Sequence, residues 1–176
     1  MRAPKGSMVP DGDHATLTFR RVYPHRIEHV WEAISTPEGL RGWLMVTDAT
    51  IEGRTGGRIE MKSGPTRFHS SGRILAWEPP RVLEYEWNVA PVTEMPHGER
   101  AIFRYELEAD GESTRLLVVY RQISMHTARG FLPGLHAFLD RLEAQLGGTK
   151  MPGFNERFGE LMSEYPEWSH AARPGQ

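Results

Sequence analysis

The longest periodic run in the chain, residues 128–148, sets what the rest can fold into. Phe131, Leu135, Phe138, Leu139, Leu142 and Leu146 recur at spacings of three and four, which draws one apolar stripe along a helix. Gly147 and Gly148 supply a left-handed stop, and Pro133 costs least in a first turn, so the spacing predicts a helix over 131–146. A stripe of that length needs an apolar surface to cover it, and what precedes it reads mainly as strands. The expected class is α+β, a sheet wrapped on a long C-terminal helix.

Residues 14–23 alternate Leu17 and Phe19 before Val22 and Tyr23, a strand with an irregularity near its end. Pro24 opens a helix carrying Ile27, Val30, Trp31 and Ile34, and Thr36-Pro37-Glu38 begins a second, with Thr36 as N-cap and Pro37 in the first turn. Short β-branched and aromatic runs follow at 46–51, 58–62, 68–77 and 81–87. They are separated by turn residues in 53–57, by Ser63-Gly64-Pro65 and by Glu78-Pro79-Pro80. Residues 90–98 have no period and read as a long loop bordering an opening.

The firmest local signal is Asp110-Gly111, the dipeptide of a tight hairpin turn, between strands 101–109 and 113–121. Phe103, Tyr105 and Leu107 share one face of the first strand, and Leu116, Val118 and Tyr120 one face of the second; this apolar side must meet the long helix. Phe154, Phe158, Leu161, Met162 and Tyr165 predict a last amphipathic helix over 154–164, stopped by Pro166. The chain thus divides into a flexible segment 1–13, one domain over 14–147 with six or seven strands, and an extension over 148–176.

Several functional classes fall away on composition. Lys and Arg total 21 against 23 for Asp and Glu, with no long run of either sign, so the field that a nucleic-acid binder needs is missing. There is no Cys, hence no disulfide and no Cys-based zinc site, which suits a reducing compartment. No stretch is apolar enough for a membrane span, and 1–13 lacks the apolar run of a signal peptide. A cytoplasmic protein that neither enters nor binds a membrane is the expectation.

Several local patterns together carry a family likeness. They are Tyr23-Pro24 with Val30-Trp31-Glu32-Ala33; Thr36-Pro37-Glu38-Gly39-Leu40 with Trp43; Gly56-Gly57-Arg58; Gly72-Arg73-Ile74-Leu75 running into Glu78-Pro79-Pro80-Arg81, Leu83 and Trp87; and Gly111 with Thr114-Arg115-Leu116. Over about 14–147 the chain resembles the bacterial single-domain branch of the Aha1-type family (activator of Hsp90 ATPase homologue 1-like), within the START-like, polyketide-cyclase-related superfamily. The resemblance implies a helix-grip fold, START-like or Bet v 1-like: a curved antiparallel sheet around the C-terminal helix, with a cavity between them that holds mostly apolar molecules. The family's name comes from two-domain co-chaperones of eukaryotes, and the likeness is to their second domain.

Such a cavity would be lined from the strands, the long helix and the second short helix, which nominates Trp43, Met61, Phe68, Trp77, Trp87, Phe103, Tyr105, Tyr120, Phe131, Leu135 and Phe138. Large aromatics also fill cores by default, and core packing is the competing role for each. Tyr85 turns inward if Leu83 and Trp87 do. Tyr105, Tyr120, His126 and His136 are the polar groups placed to orient or act on a ligand, His136 with a competing role as a surface or satisfied core histidine. His25 and His29, four apart, match a metal pair on a helix, but no third ligand accompanies them. The arginines at 20, 21, 54, 58, 67 and 73 are interleaved with acids and read as solvated strand faces. No nucleophile elbow, Gly-rich phosphate loop or paired carboxylate is present, so no catalytic set, metal or cofactor is assigned.

Three readings remain, in this order: a carrier or sensor of a small apolar molecule, a cyclase, aromatase or dehydratase using a cavity Tyr or His, and a protein-interaction module such as a chaperone partner. The last helix and the 90–98 loop are the surfaces offered for a homodimer.

Overall fold

A computed structural model describes residues 2–63 and 68–165. Two turns of the sequence argument, Gly64-Pro65 and the Pro166 helix stop, lie outside the described residues, as does Arg67. The elements run β1 (Ser7–Asp11), β2 (His14–Tyr23), α1 (Ile27–Ser35), α2 (Pro37–Trp43), β3 (Val46–Ile51), β4 (Arg58–Ser63), β5 (His69–Glu78), β6 (Val82–Val89), β7 (Glu99–Asp110), β8 (Ser113–Ser124), α3 (Met125–Gly147) and α4 (Phe154–Met162). The strands form one antiparallel sheet in the order β1-β2-β8-β7-β6-β5-β4-β3. Helix α3 packs against β1, β2 and β8 on the sheet side and against α1, α2 and α4 on the other. No helix among the described residues is long and apolar enough to cross a membrane.

The central hairpin follows from its alternation. Phe103 pairs with Tyr120, Tyr105 with Val118 and Leu107 with Leu116, so both apolar faces coincide, and all six side chains are buried. The turn residues are Gly111 and Glu112, with φ +63° at Gly111 and Asp110 still paired to Ser113. A Cβ there would meet nothing within 4 Å, so only backbone conformation forbids a side chain. Gly111→Val is therefore expected to cost about 1 kcal/mol or more in urea denaturation; an unchanged midpoint would remove the basis of this turn assignment.

Helix α2 is capped as its sequence asks: the Thr36 hydroxyl accepts from Gly39 N–H at 3.0 Å, with Pro37 at the helix start. Three expectations need correction. Residues 7–11 are not part of a flexible segment but an edge strand on β2, joined to it through Gly12 at φ +59°, which brings the sheet to eight strands among the described residues instead of six or seven. The long helix begins at Met125, not 131, so Pro133, which has no backbone N–H to donate, sits in its interior. The early start is held from elsewhere: Glu99 of β7 accepts from Ser124 N–H at 2.9 Å and from its hydroxyl at 2.7 Å, and Met125 N–H donates to the Asp13 carbonyl. A carboxylate at that end also suits the helix dipole. Finally, α4 ends at Met162, two residues short of expectation.

Candidate functional site

Between the concave face of the sheet and α3 lies a cavity of about 300 Å³. Its wall is an aromatic row across three adjacent strands: Trp87 of β6, Phe103 of β7 and Tyr120 of β8 stack at ring separations of 4.9 and 3.5 Å. Phe131 of α3 meets Trp87 edge-on at 5.4 Å. Met61, Phe68, Leu135 and Phe138 complete the part of the lining that the sequence nominated. Eight of the eleven nominated side chains therefore converge on one space.

The other three do not. Trp43 is fully buried and filled in by its own hydrogen bonds: its indole Nε1 donates to the Ala33 carbonyl at 2.9 Å and its backbone N–H to Gln145 Oε1 at 2.7 Å, which ties α2 to α1 and α3. Trp77 lies at the far side of β5, edge-on to Trp31 of α1 at 5.2 Å. Tyr105 is buried one row behind the wall, its hydroxyl 2.5 Å from that of Tyr120.

Lining residues that sequence reasoning did not nominate come from three sources. Leu44 and Val46 flank Met45, whose φ of +59° makes the reversal from α2 into β3. Gly130 and Gly134, one turn apart on α3, also line it: Gly130 is exposed and a Cβ there meets nothing within 4 Å, whereas one at Gly134 would touch Phe158 at 3.8 Å. Their four-residue spacing was a visible signal. Phe154 and Phe158 of α4 roof the cavity, with Phe154 stacked on Phe138 at 4.5 Å. Tyr85, Ser63 and Ser70 add its remaining hydroxyls. Among the described residues, no charged side chain lines it.

The roof is held by polar contacts on the opposite side of α3. Arg157 of α4 donates to Asp140 at 2.7 Å, and the Tyr165 hydroxyl bonds His136 Nδ1 at 2.7 Å while accepting from Gly6 N–H. Arg141 donates to the carbonyls of Gly42, Trp43 and Pro152, fixing the segment that leads into α4. His136 is thus buried away from the cavity, and burial holds its pKa down at about 4. His126, on the first turn of α3, is exposed. Arg21 departs from the solvated face expected of it: its side chain is 3% exposed, 3.8 Å from Asp140 and bonded to the Pro4 carbonyl.

His25 lies ahead of α1 rather than on it, with its ring 5.6 Å from that of His29. Among the described residues, no three His, Cys, Asp or Glu side chains converge as a metal site. The 90–98 loop closes on itself through a Val92–Met95 bridge, buries Met95, and borders a separate, polar depression with His69, His97 and Arg100.

A continuous antiparallel sheet gripping one long C-terminal helix, with a cavity between them, defines the START-like class. Residues 24–147 match the model of the activator of Hsp90 ATPase homolog 1-like protein family, and the chain belongs to that family. Among solved structures it is similar to CalU16 from Micromonospora echinospora, with a TM-score of 0.70 and 21% identity over 94% of this chain and 95% of that one. It is likewise similar to the BPP1335 protein of Bordetella parapertussis, with a TM-score of 0.66 and 20% identity over 95% of each chain. No curated protein matches it in sequence.

Proposed function

We propose that this protein is a carrier or sensor that binds a small, neutral, largely apolar molecule between the sheet and α3. The observation that carries this reading is a cavity of about 300 Å³ whose lining, among the described residues, has aromatic walls, four hydroxyls and no charge. That volume lies at the low end of small-molecule sites, about 300 Å³ upward. An ionised ligand would be buried there without a counter-charge, at a cost of several kcal/mol. Filling such a space with side chains would have stabilised the fold by roughly 24 cal/mol per Å³, yet it is left open beside two glycines of α3.

The enzyme reading fits less well. Burial raises the pKa of Tyr85 and Tyr120 well above the ordinary phenol value, so both stay protonated and neither is a base near neutrality. The interaction-module reading has little surface to work with: among the described residues the exposed large apolar side chains are Val9, Val22 and Leu75, on three different strands.

The test is Gly130→Leu. Replacing an interior helix glycine should raise stability by about 0.5–1 kcal/mol, while the new side chain enters the cavity mouth and weakens binding of the neutral apolar dye N-phenylnaphthylamine by about tenfold. Phe138→Trp should likewise reduce dye binding with little loss of stability. A parent protein that never binds the dye, with Phe138→Trp destabilised by the roughly 1–3 kcal/mol of an overpacked core, would remove the carrier reading.

A further inference from the structure

The polar part of the cavity is concentrated in one place. Tyr85, Tyr105 and Tyr120 stand on the three adjacent strands β6, β7 and β8, all buried. The Tyr105 and Tyr120 hydroxyls are bonded at 2.5 Å, and the Tyr85 ring stacks on that of Tyr105 at 6.3 Å. Tyr85 and Tyr120 line the cavity, and Tyr105, on the strand between theirs, does not.

A count of protons follows. Three phenols carry three O–H groups, and the hydrogen bond between Tyr105 and Tyr120 uses one. With Tyr105 donating to Tyr120, the protons left over belong to Tyr120 and Tyr85, the two members of the row that line the cavity. A buried O–H without an acceptor is costly, and among the described residues no charged or carbonyl-bearing side chain lines the space to receive one. Because burial keeps all three phenols protonated across the ordinary pH range, the group offered to the cavity is always a donor.

We propose that Tyr85 and Tyr120 form a donor site for a carbonyl oxygen, so that the ligand of this cavity is an aromatic or alicyclic ketone or a similar neutral carbonyl compound, its ring against Trp87 and Phe103 and its oxygen at the tyrosine row. The inference rests on the cavity being a binding site. It adds the chemical class: an apolar skeleton bearing one hydrogen-bond acceptor, held in one orientation because the remaining hydroxyls of Ser63 and Ser70 sit on β4 and β5.

The experiment compares two ligands of the same shape, ethylnaphthalene and acetylnaphthalene, which differ by a methylene against a carbonyl. Each is titrated as a competitor of bound N-phenylnaphthylamine, so the cost of desolvating the ketone cancels when proteins are compared. In the variant carrying Tyr85→Phe, Tyr105→Phe and Tyr120→Phe, every member of the row is replaced by an apolar ring of the same shape, which avoids leaving one hydroxyl stranded. The ketone should lose about tenfold in affinity there while ethylnaphthalene is unchanged, and the infrared carbonyl band of the bound ketone should move to higher frequency. The double variant Tyr85→Phe with Tyr120→Phe should do the same and serves if the triple variant does not fold. Equal weakening of both ligands, an unchanged ratio, or a ratio lost only in Ser70→Ala would each overturn the tyrosine site and leave the cavity reading standing. If neither ligand displaces the dye from the unmodified protein, the cavity reading itself fails, and the tyrosine site with it.

Discussion

Asp140→Ala should destabilise the protein by about 3 kcal/mol, more than any surface change. Its carboxylate sits among three cations or potential cations: Arg157 at 2.7 Å, Arg21 at 3.8 Å and His136 at 3.7 Å. The Arg21 guanidinium is almost wholly removed from water, and its Nε and Nη2 have no hydrogen-bond partner. Removing the carboxylate leaves that charge buried without compensation, the situation that costs about 3–5 kcal/mol when one partner of a buried pair is deleted. Asp140→Asn keeps the shape and should lose nearly as much, whereas Asp140→Leu combined with Arg21→Met removes both charges and should recover most of the loss. Stability unchanged in Asp140→Asn, by chemical denaturation, would show that the charge is not what holds this junction. Because Arg157 also loses its anchor for α4, the Ala variant should admit the dye faster.

The second large effect is on pH. Folding keeps His136 neutral: its pKa falls from the ordinary 6.5 to about 4, first through burial and then through Arg21 and Arg157, with Asp140 and Glu164 acting in the opposite direction. Between those two values the unfolded chain binds a proton that the folded one does not, so stability is full above about pH 6.5 and declines as pH falls toward 4. After discount for partial solvent screening the loss is about 2 kcal/mol. The network also assigns the tautomer. Tyr165 accepts from Gly6 N–H and directs its own O–H at Nδ1, which leaves the imidazole proton on Nε2, facing Asp140. Protonation at Nδ1 breaks that arrangement, so acid should loosen the N-terminal segment and the end of α4 together. His136→Gln should flatten the stability profile between pH 7 and 4; an acid slope identical to that of the parent protein would assign the loss to carboxylates instead.

Much of this fold was legible from local chemistry. The β7–β8 hairpin could be located because period-two alternation and a turn dipeptide agreed on its turn and its apolar faces, though its strands run Glu99–Asp110 and Ser113–Ser124 rather than 101–109 and 113–121, and α2 because Thr36 and Pro37 are start signals that act within four residues. The resemblance carried the order of elements and the grip on α3. It did not separate lining from core, since Tyr105, Tyr120 and Phe103 have equivalent patterns and differ only in which row of the sheet faces the space.

Where the reading failed, the deciding partner was distant in sequence. The start of α3 depends on Glu99 and Asp13, and no local rule outweighs a Pro133 that looks like a first-turn residue. The edge strand β1 had a local sign, Asp11-Gly12, the same dipeptide at the same place as in the central hairpin, but its exposed Val9 and Pro10 do not alternate. Arg21 is buried because Asp140 approaches from another element, and Trp43 is satisfied by Ala33 and Gln145. What the sequence by itself determined was which faces are apolar and where the chain turns, both short-range properties of side chains and backbone. Only the tertiary structure decided how far α3 stands from the sheet. Phe154 and Phe158 of α4 roof the space left between them, and that space turns the same aromatic residues from a filled core into the wall of a cavity.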